Sequence, residues 1–349
     1  MKILVTGAAG FIGFHTALRL LNAGHLVLGL DNINSYYAVN LKKARLSVLG
    51  VDVNNVQTNK ITQSSVYQNF RFVKLGIEDR ENLPIIFESE KFDLVINLAA
   101  YAGMRHSVAE PFAYIDSNIT GFLNILECCQ RYNVKRLIYA SSSSVYGSNS
   151  KVPFAETDHT NNPTNLYAVT KKADELMAAC YSSLYNLTAV GLRFFSVYGP
   201  WGRADMAPML FAQAIMNNQP LQVFNSGNML RDFTYIDDIV DGIVLVVSKI
   251  SNSDEPRHSI YNLGCSSPVL LSDFILELET ALGHKTQKKL NGHGAKKKKK
   301  SCCQCTPPMS IKHLPTHQPL NMILVIAQKH NCTRVLKNLP TGLKPKDTH

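Results

Sequence analysis

The segment Gly7-Ala8-Ala9-Gly10-Phe11-Ile12-Gly13 constrains this chain more than any other. It follows a short apolar run, Lys2 to Thr6, and leads into Phe11 to Ala23, where apolar residues recur at helical spacing. Glycines in a G-x-x-G-x-x-G pattern permit a tight strand-to-helix turn. They also let the backbone approach a pyrophosphate resting on the positive helix N-terminus. Three glycines in such a turn can be purely structural, so a second feature is needed. The next β-branched run, Leu26 to Leu30, ends at Asp31, where a carboxylate can accept both hydroxyls of an adenosine ribose and would repel a 2′-phosphate. Together these point to NAD over NADP, with Gly7, Gly10, Phe11, Ile12, Gly13, Asp31 and Asn32 as expected cofactor contacts.

The rhythm continues. Arg71 to Lys74, Leu94 to Asn97, Arg136 to Ala140 and Thr188 to Arg193 alternate with helical patterns at Asn40 to Leu49, Phe112 to Tyr132 and Asn165 to Tyr185. Alternating β and α signals give an α/β protein, a Rossmann-type doubly wound parallel sheet with helices on both faces. Residues 1–195 are expected to form the NAD-binding domain, with segments around 233–264 returning to it. Residues 196–290, rich in Gly, Pro and Asn at their start, are expected to be a smaller C-terminal substrate-binding region. Residues 50–69 are polar and aperiodic and read as a surface excursion. Asn97-Leu98-Ala99-Ala100 supplies small residues where a backbone would meet the dinucleotide, Ala99 among them.

Composition narrows the function classes. At 349 residues, 45% hydrophobic and 18% charged, general disorder is excluded. No apolar run reaches the ~20 residues that span a bilayer, and Met1-Lys2 runs straight into Ile3-Leu4-Val5 without a signal-peptide pattern, so a cytoplasmic protein with no membrane partner is expected. The formal charge of +10 is misleading. From Lys285 onward there are 14 Lys and Arg against one acid, Asp347, while the first 284 residues hold 22 basic and 25 acidic residues. Without a basic stripe interleaved with aromatics, no nucleic-acid partner is expected; Lys296 to Lys300 are its main support and read better as a solvated run. Cys128, Cys129, Cys180 and Cys265 are scattered and read as reduced core thiols. Cys302, Cys303, Cys305 and Cys332 lack the C-x-x-C spacing of a zinc site, so no metal is expected.

Tyr167 and Lys171 stand one helical turn apart on one face, so an ammonium can favour phenolate over phenol. Alone, the pair could belong to any amphipathic helix. Ser141-Ser142-Ser143-Ser144-Val145-Tyr146-Gly147 adds hydroxyls at the C-terminal end of the fifth strand run, the edge where doubly wound sheets bind ligands. With the glycine turn and Asp31, this order resembles the extended short-chain dehydrogenase/reductases, in their nucleotide-sugar epimerase and dehydratase branch. The resemblance covers about residues 1–284. It implies Ser142, Tyr167 and Lys171 as the catalytic set, with Tyr167 and Lys171 also touching NAD, and Ser143 and Ser144 near the sugar.

Dehydratases of this branch carry Asp-Glu directly after the catalytic hydroxyl, and decarboxylases a Glu two residues beyond it. Here Ser143 and Ser144 stand there, which leaves elimination without its proton carriers and favours 4-epimerisation. Gly199-Pro200-Trp201-Gly202-Arg203-Ala204-Asp205-Met206-Ala207 is similar to the segment of UDP-glucuronate 4-epimerases in which an arginine meets the hexuronate carboxylate; Ala204 replaces the usual proline. Asp31 to Tyr37 and Ala102 to Ser107 resemble the same subgroup, and the resemblance places Arg105 near the sugar diphosphate. It also implies Arg231 on a nucleotide phosphate, Phe224 against the uracil and Ser196 against the substrate. Gly76 stands where relatives often have an Asp that bonds the adenine amine, which implies weaker NAD retention. UDP-glucose or UDP-N-acetylglucosamine epimerisation, and a catalytically inactive NAD-binding protein, remain alternatives. Relatives commonly dimerise through two helices, here Phe112 to Tyr132 and Asn165 to Tyr185, so a homodimer is expected.

The resemblance stops near Leu290. Residues 291–349 are an aberrant basic tail, and from about Ala295 the expectation is that they are read out of frame and poorly folded. Combining the last base of each codon with the first two of the next, Met322-Ile323 must give Asp. Leu324 to His330 can then spell Leu or Phe followed by Gly-Tyr-Ser-Pro-Lys-Thr, and Pro340 to Leu343 can spell Ala-Asn-Trp-Phe. Both strings resemble this branch's C-terminal region, and Lys296 to Lys300 mark an A-rich stretch where one base is easily lost.

Overall fold

The computed structural model describes residues 1–223, 227–252, 257–283 and 288–290. Phe224, and the frame-shift and zinc readings of residues 291–349, lie outside the described residues. Strands β1 (Lys2–Thr6), β2 (Leu26–Asp31), β3 (Ile61–Gln63), β4 (Phe70–Lys74), β5 (Leu94–Asn97), β6 (Arg136–Ser142) and β7 (Thr188–Phe194) alternate with helices. These are α1 (Phe11–Asn22), α2 (Val39–Val48), α3 (Asn82–Glu90), α4 (His106–Ala109), α5 (Pro111–Tyr114), α6 (Phe122–Arg131) and α7 (Leu166–Tyr185). Then come β8 (Ser196–Tyr198), α8 (Ala207–Met216), β9 (Leu221–Val223), β10 (Leu230–Arg231), β11 (Phe233–Tyr235) and α9 (Ile236–Ser251). The chain continues through β12 (His258–Leu263), β13 (Val269–Leu270), α10 (Leu271–Leu282) and β14 (Lys288–Leu290).

The large sheet has the order β12-β7-β6-β5-β1-β2-β4-β3, and every pairing is parallel except β3 on β4. Its strands are apolar without alternation because both faces are covered. On β1, Ile3 and Val5 join Phe14 and Leu20 of α1 and Ile239 and Ile243 of α9 in one cluster, while Leu4 joins Leu83 of α3 and Ile125 of α6 in another. A third cluster, with Phe211 and Ile215 of α8, Val223 of β9 and Phe274 of α10, forms from the later part of the chain. β12 returns to the large sheet beside β7, in register from His258 opposite Ala189 to Leu263 opposite Phe194.

Three expectations need correction. Residues 50–69 are more than a surface excursion: β3 adds an antiparallel edge strand, and buried Ser64 accepts from Val66 and Tyr67 amides and donates to the Leu49 carbonyl. A three-residue strand carries too little pattern to be read. The helix expected over Phe112 to Tyr132 is continuous but not uniform: it widens into π-type turns over Ile115–Gly121 between α5 and α6. Inside that stretch the Asn118 amide group turns inward, pairs with the backbone N–H and C=O of Tyr101 and donates to Thr170 Oγ1 at 3.0 Å. Of the four scattered cysteines, Cys128 and Cys129 are buried thiols, whereas Cys180 lies exposed on α7 and Cys265 is disulfide-bonded.

Candidate active site

The glycine turn closes where β1 hands over to α1. Gly7 has φ +70°, and a Cβ there would lie 2.9 Å from the Ala99 nitrogen, so Ala99 marks a backbone contact between the ends of β1 and β5. Thr6 fixes that contact: its hydroxyl donates to Asn97 Oδ1 and accepts from the Leu98 and Ala99 amides at 3.1 Å. A Cβ on Gly13 would fall 2.1 Å from the Gly7 carbonyl oxygen, which is why α1 can begin this close to β1. Gly10 caps α1 with no side-chain bond to its first amides, which leaves them to an anion. Phe11 and Ile12 open the helix. This turn fits a dinucleotide pyrophosphate.

Asp31 ends β2, buried, with Oδ2 accepting from the Ala9 amide at 3.1 Å and Oδ1 from the Ile33 amide at 2.8 Å. Lys42 of α2 lies 3.7 Å from the same carboxylate. The acid is therefore tied to the glycine turn it was expected to serve. Asn32 beside it donates to Glu78 Oε1 at 3.4 Å. At Gly76 a Cβ would sit 2.3 Å from that same Oε1, so the Glu78 carboxylate already covers the space a longer side chain would fill.

The catalytic candidates lie on β6 and α7, which pack together. Ser142, the last residue of β6, is buried; its hydroxyl accepts from the Ser144 amide at 3.2 Å and donates to Ser144 Oγ at 3.1 Å. Ser143 and Ser144 occupy the 3₁₀ turn Ser143–Tyr146 that follows. Asn165 caps α7 by accepting from the Ala168 amide, which sets Tyr167 in the first turn, edge-on to Tyr114 at 6.1 Å between centroids. Lys171, one turn on, is 2% exposed and donates to Asp174 Oδ2 at 3.0 Å. Burial pushes the Asp174 carboxyl up to about 7, against the pull of the Lys171 ammonium. Ser141 is spent on structure: with Arg193, which pairs through two nitrogens, it bonds the buried Glu175 carboxylate.

Arg203 lies in the loop between β8 and α8. Its Nε and Nη2 donate to the two Asp205 oxygens at 3.1 and 2.6 Å, and Nη2 also reaches Tyr36 Oη at 3.2 Å and the Ala102 carbonyl at 3.1 Å. The fork expected for a substrate carboxylate thus holds an internal one. Ala204 does not leave the loop slack, because Gly202 N–H bonds the Gly199 carbonyl and Met206 N–H bonds the Arg203 carbonyl. Ser196 opens β8, and its amide donates to the Asp232 carbonyl at 3.2 Å, which places it beside Arg231 of β10. Arg105 is exposed just before α4. Sequence reasoning missed Asp205, Tyr36, Arg45 and Asp174 as site neighbours. For Tyr36 and Arg45 the roles come from contacts between segments distant in the chain, whereas Asp205 lies two residues from Arg203 and Asp174 three from Lys171. Among the described residues no cluster of His, Cys, Asp and Glu could hold a metal, and no helix is long and apolar enough to cross a membrane.

Comparison with known proteins gives a consistent result. Residues 3–264 match the NAD dependent epimerase/dehydratase family. The chain is 48% identical over 301 residues to Protein CapI of Staphylococcus aureus, covering 82% of this chain and 85% of that protein. It is 42% identical over 298 residues to a probable UDP-glucuronate 4-epimerase of Rhizobium meliloti, covering 81% and 83%. The structure of a UDP-glucuronic acid 4-epimerase from Bacillus cereus, in complex with UDP-glucuronic acid and NAD, superposes with a TM-score of 0.71 at 32% identity, over 83% of this chain and 86% of that one. The glycine turn, Asp31 and the Ser142, Tyr167 and Lys171 set therefore stand in a chain that belongs to the NAD dependent epimerase/dehydratase family.

Proposed function

We propose that this protein is a cytoplasmic, NAD-dependent UDP-glucuronate 4-epimerase that interconverts UDP-glucuronate and UDP-galacturonate. The observation that carries the reading is the likeness to UDP-glucuronate 4-epimerases over more than four-fifths of the chain, in a chain that has Arg203 in the loop expected to meet the uronate and no acid directly after Ser142. NAD, when bound, would supply reversible hydride acceptance and return at carbon 4 of the sugar. The turn at Gly7, Gly10 and Gly13 holds the pyrophosphate and Asp31 the adenosine ribose. Tyr167 removes the proton of the 4-hydroxyl, Ser142 hydrogen-bonds the same oxygen, and Lys171 supplies the positive charge that favours the phenolate. The same groups run backwards after the 4-keto sugar turns over. Arg203 orients the uronate carboxylate, while Arg105, Arg231, Ser143, Ser144 and Ser196 line the rest of the UDP-sugar site. Residues 1–195 with 233–264 act as the NAD-binding domain and 196–290 as the substrate region.

Two further parts of the proposal concern assembly and the chain end. Val169, Leu176, Cys180 and Leu184 form an exposed stripe on α7, and exposed Phe112 and Ile115 lie on the adjoining α5 segment, an apolar face suited to a two-fold homodimer. Residues beyond about Ala295 are proposed to be out of frame, on the shifted codons that spell Leu or Phe followed by Gly-Tyr-Ser-Pro-Lys-Thr, and Ala-Asn-Trp-Phe. The activity is tested by incubating the protein with UDP-glucuronate, UDP-glucose and UDP-N-acetylglucosamine separately and following carbon-4 epimers by NMR. Turnover of UDP-glucuronate, lost by at least about 10³-fold in Tyr167→Phe, is expected. Turnover only of a neutral sugar would replace this reading with the hexose alternative.

A further inference from the structure

We propose that Arg45 is a positioning residue that locks the Arg203 loop onto the dinucleotide turn and thereby sets the preference for an acidic sugar. The proposal rests on the reading of Arg203 as the uronate contact. Arg45 projects from α2 and is 0% exposed, yet among the described residues it has no ion-pair partner. A buried guanidinium without a carboxylate is costly unless other acceptors satisfy it. Here acceptors meet both Nη groups, while the buried Nε has no partner among the described residues. Nη1 donates to the Ala9 carbonyl at 2.8 Å and to Tyr37 Oη at 2.7 Å; Nη2 donates to the Trp201 carbonyl at 2.6 Å and the Gly202 carbonyl at 3.4 Å.

Each partner borders a functional segment. Ala9 belongs to the glycine turn, and its amide also bonds Asp31. Trp201 and Gly202 immediately precede Arg203, and Trp201 holds φ +60°, a left-handed conformation that a large residue keeps only when its surroundings fix it. Tyr37 adjoins Tyr36, whose hydroxyl meets Arg203 Nη2. Arg45 thus grips the backbone leading into Arg203 and the segment packed against its guanidinium. The hydrogen bonds run in a fork that one lysine ammonium cannot reproduce. Removing it frees the Trp201 and Gly202 carbonyls and lets Arg203 drift from a geometry in which shifts of ~1 Å matter.

The test titrates the full-length, NAD-saturated protein with UDP-glucuronate and with UDP-glucose by calorimetry, for the parent, Arg45→Lys, Arg45→Met and Arg203→Ala. Melting temperatures are recorded for each, and Arg45→Lys stands in where Arg45→Met fails to fold. The readout is the ratio of the two affinities. Arg203→Ala is expected to lower the preference for UDP-glucuronate by about 100-fold, and Arg45→Met by about 10-fold, with UDP-glucose affinity held within about twofold. Arg45→Lys is expected to lose a smaller part of the preference. If Arg203→Ala loses the preference and both Arg45 variants keep it, or if the Arg45 variants weaken both sugars equally, the positioning role is overturned and the Arg203 reading stands. If Arg203→Ala keeps the parent's ratio, the uronate reading fails and this proposal fails with it.

Discussion

At the scale of single residues, Asp174 is the group whose charge state bears most directly on the chemistry. Its carboxylate holds the Lys171 ammonium at 3.0 Å inside the protein, and among the described residues its second oxygen has no hydrogen-bond partner. Burial raises it from 3.8 to about 7, so it is largely protonated below that pH and ionised above it. Protonated, it leaves the ammonium's field to Tyr167; ionised, it offsets that field. The ratio of Asp174→Asn turnover to parent turnover is therefore expected to rise from pH 6 to pH 8, by about threefold. A ratio flat across that range would remove Asp174 from the mechanism. The same shift has a stability sign. Between about pH 4 and 7 the folded carboxyl keeps a proton that the unfolded one has lost, so this group makes stability fall as pH rises, and the variant lacks that slope. The spacing of Tyr167 and Lys171 was legible in the sequence because a helix repeats itself. That Lys171 spends its charge on Asp174 was not, because the spacing allows an i+3 pair without showing that both groups are buried together, which the packing of α7 decides.

At the scale of elements, α7 carries two jobs on two faces. Its inner face holds Tyr167, Lys171, Asp174 and Glu175, and its outer stripe exposes Leu176 at 60% and Leu184 at 64%. An outward apolar stripe on a 20-residue helix is costly in water unless another surface covers it. Leu176→Asp is expected to halve the mass seen by light scattering while the far-ultraviolet circular dichroism stays that of the parent. A parent that is already monomeric, or a variant that stays dimeric, would refute the shared face. Periodicity gave α1, α2, α7 and the strands β1, β2, β4, β5, β6 and β7, since burial on one stripe or both faces writes itself into the residue pattern, but it did not give α9, α10 or β12, which lie beyond the regular βα rhythm. Nor did it give the π-type widening at Ile115–Gly121, because the inward amide it carries, Asn118, meets Tyr101 and Thr170 from distant segments.

At the scale of the whole molecule, the described residues build the sheet, its two covering layers and the smaller third cluster, and the out-of-frame reading of the tail bears on whether the chain as written is an active enzyme. Resequencing the coding DNA across Lys296 to Lys300 is expected to reveal one missing base, and protein made from the restored frame is expected to epimerise UDP-glucuronate faster than the chain as written by at least about tenfold. An unbroken frame, with equal activity in the two proteins, would dispose of the idea. The sequence by itself determined the doubly wound parallel sheet, the glycine turn between β1 and α1 with Asp31 at the end of β2, and the one-turn spacing of Tyr167 and Lys171, while the grouping of these two with Ser142 came from the family resemblance. The first three follow from period, from glycine's conformational freedom and from residues close in the chain. Only the tertiary structure decided that Arg203 grips Asp205, that Glu78 covers Gly76, and that Arg45 ties Ala9 to Trp201 and Gly202. The physical reason is that a buried charge must find its partners wherever the fold supplies them, and for Arg45 these are backbone carbonyls, whose direction depends on how separate loops pack and leaves no mark in the identity of the residues that carry them.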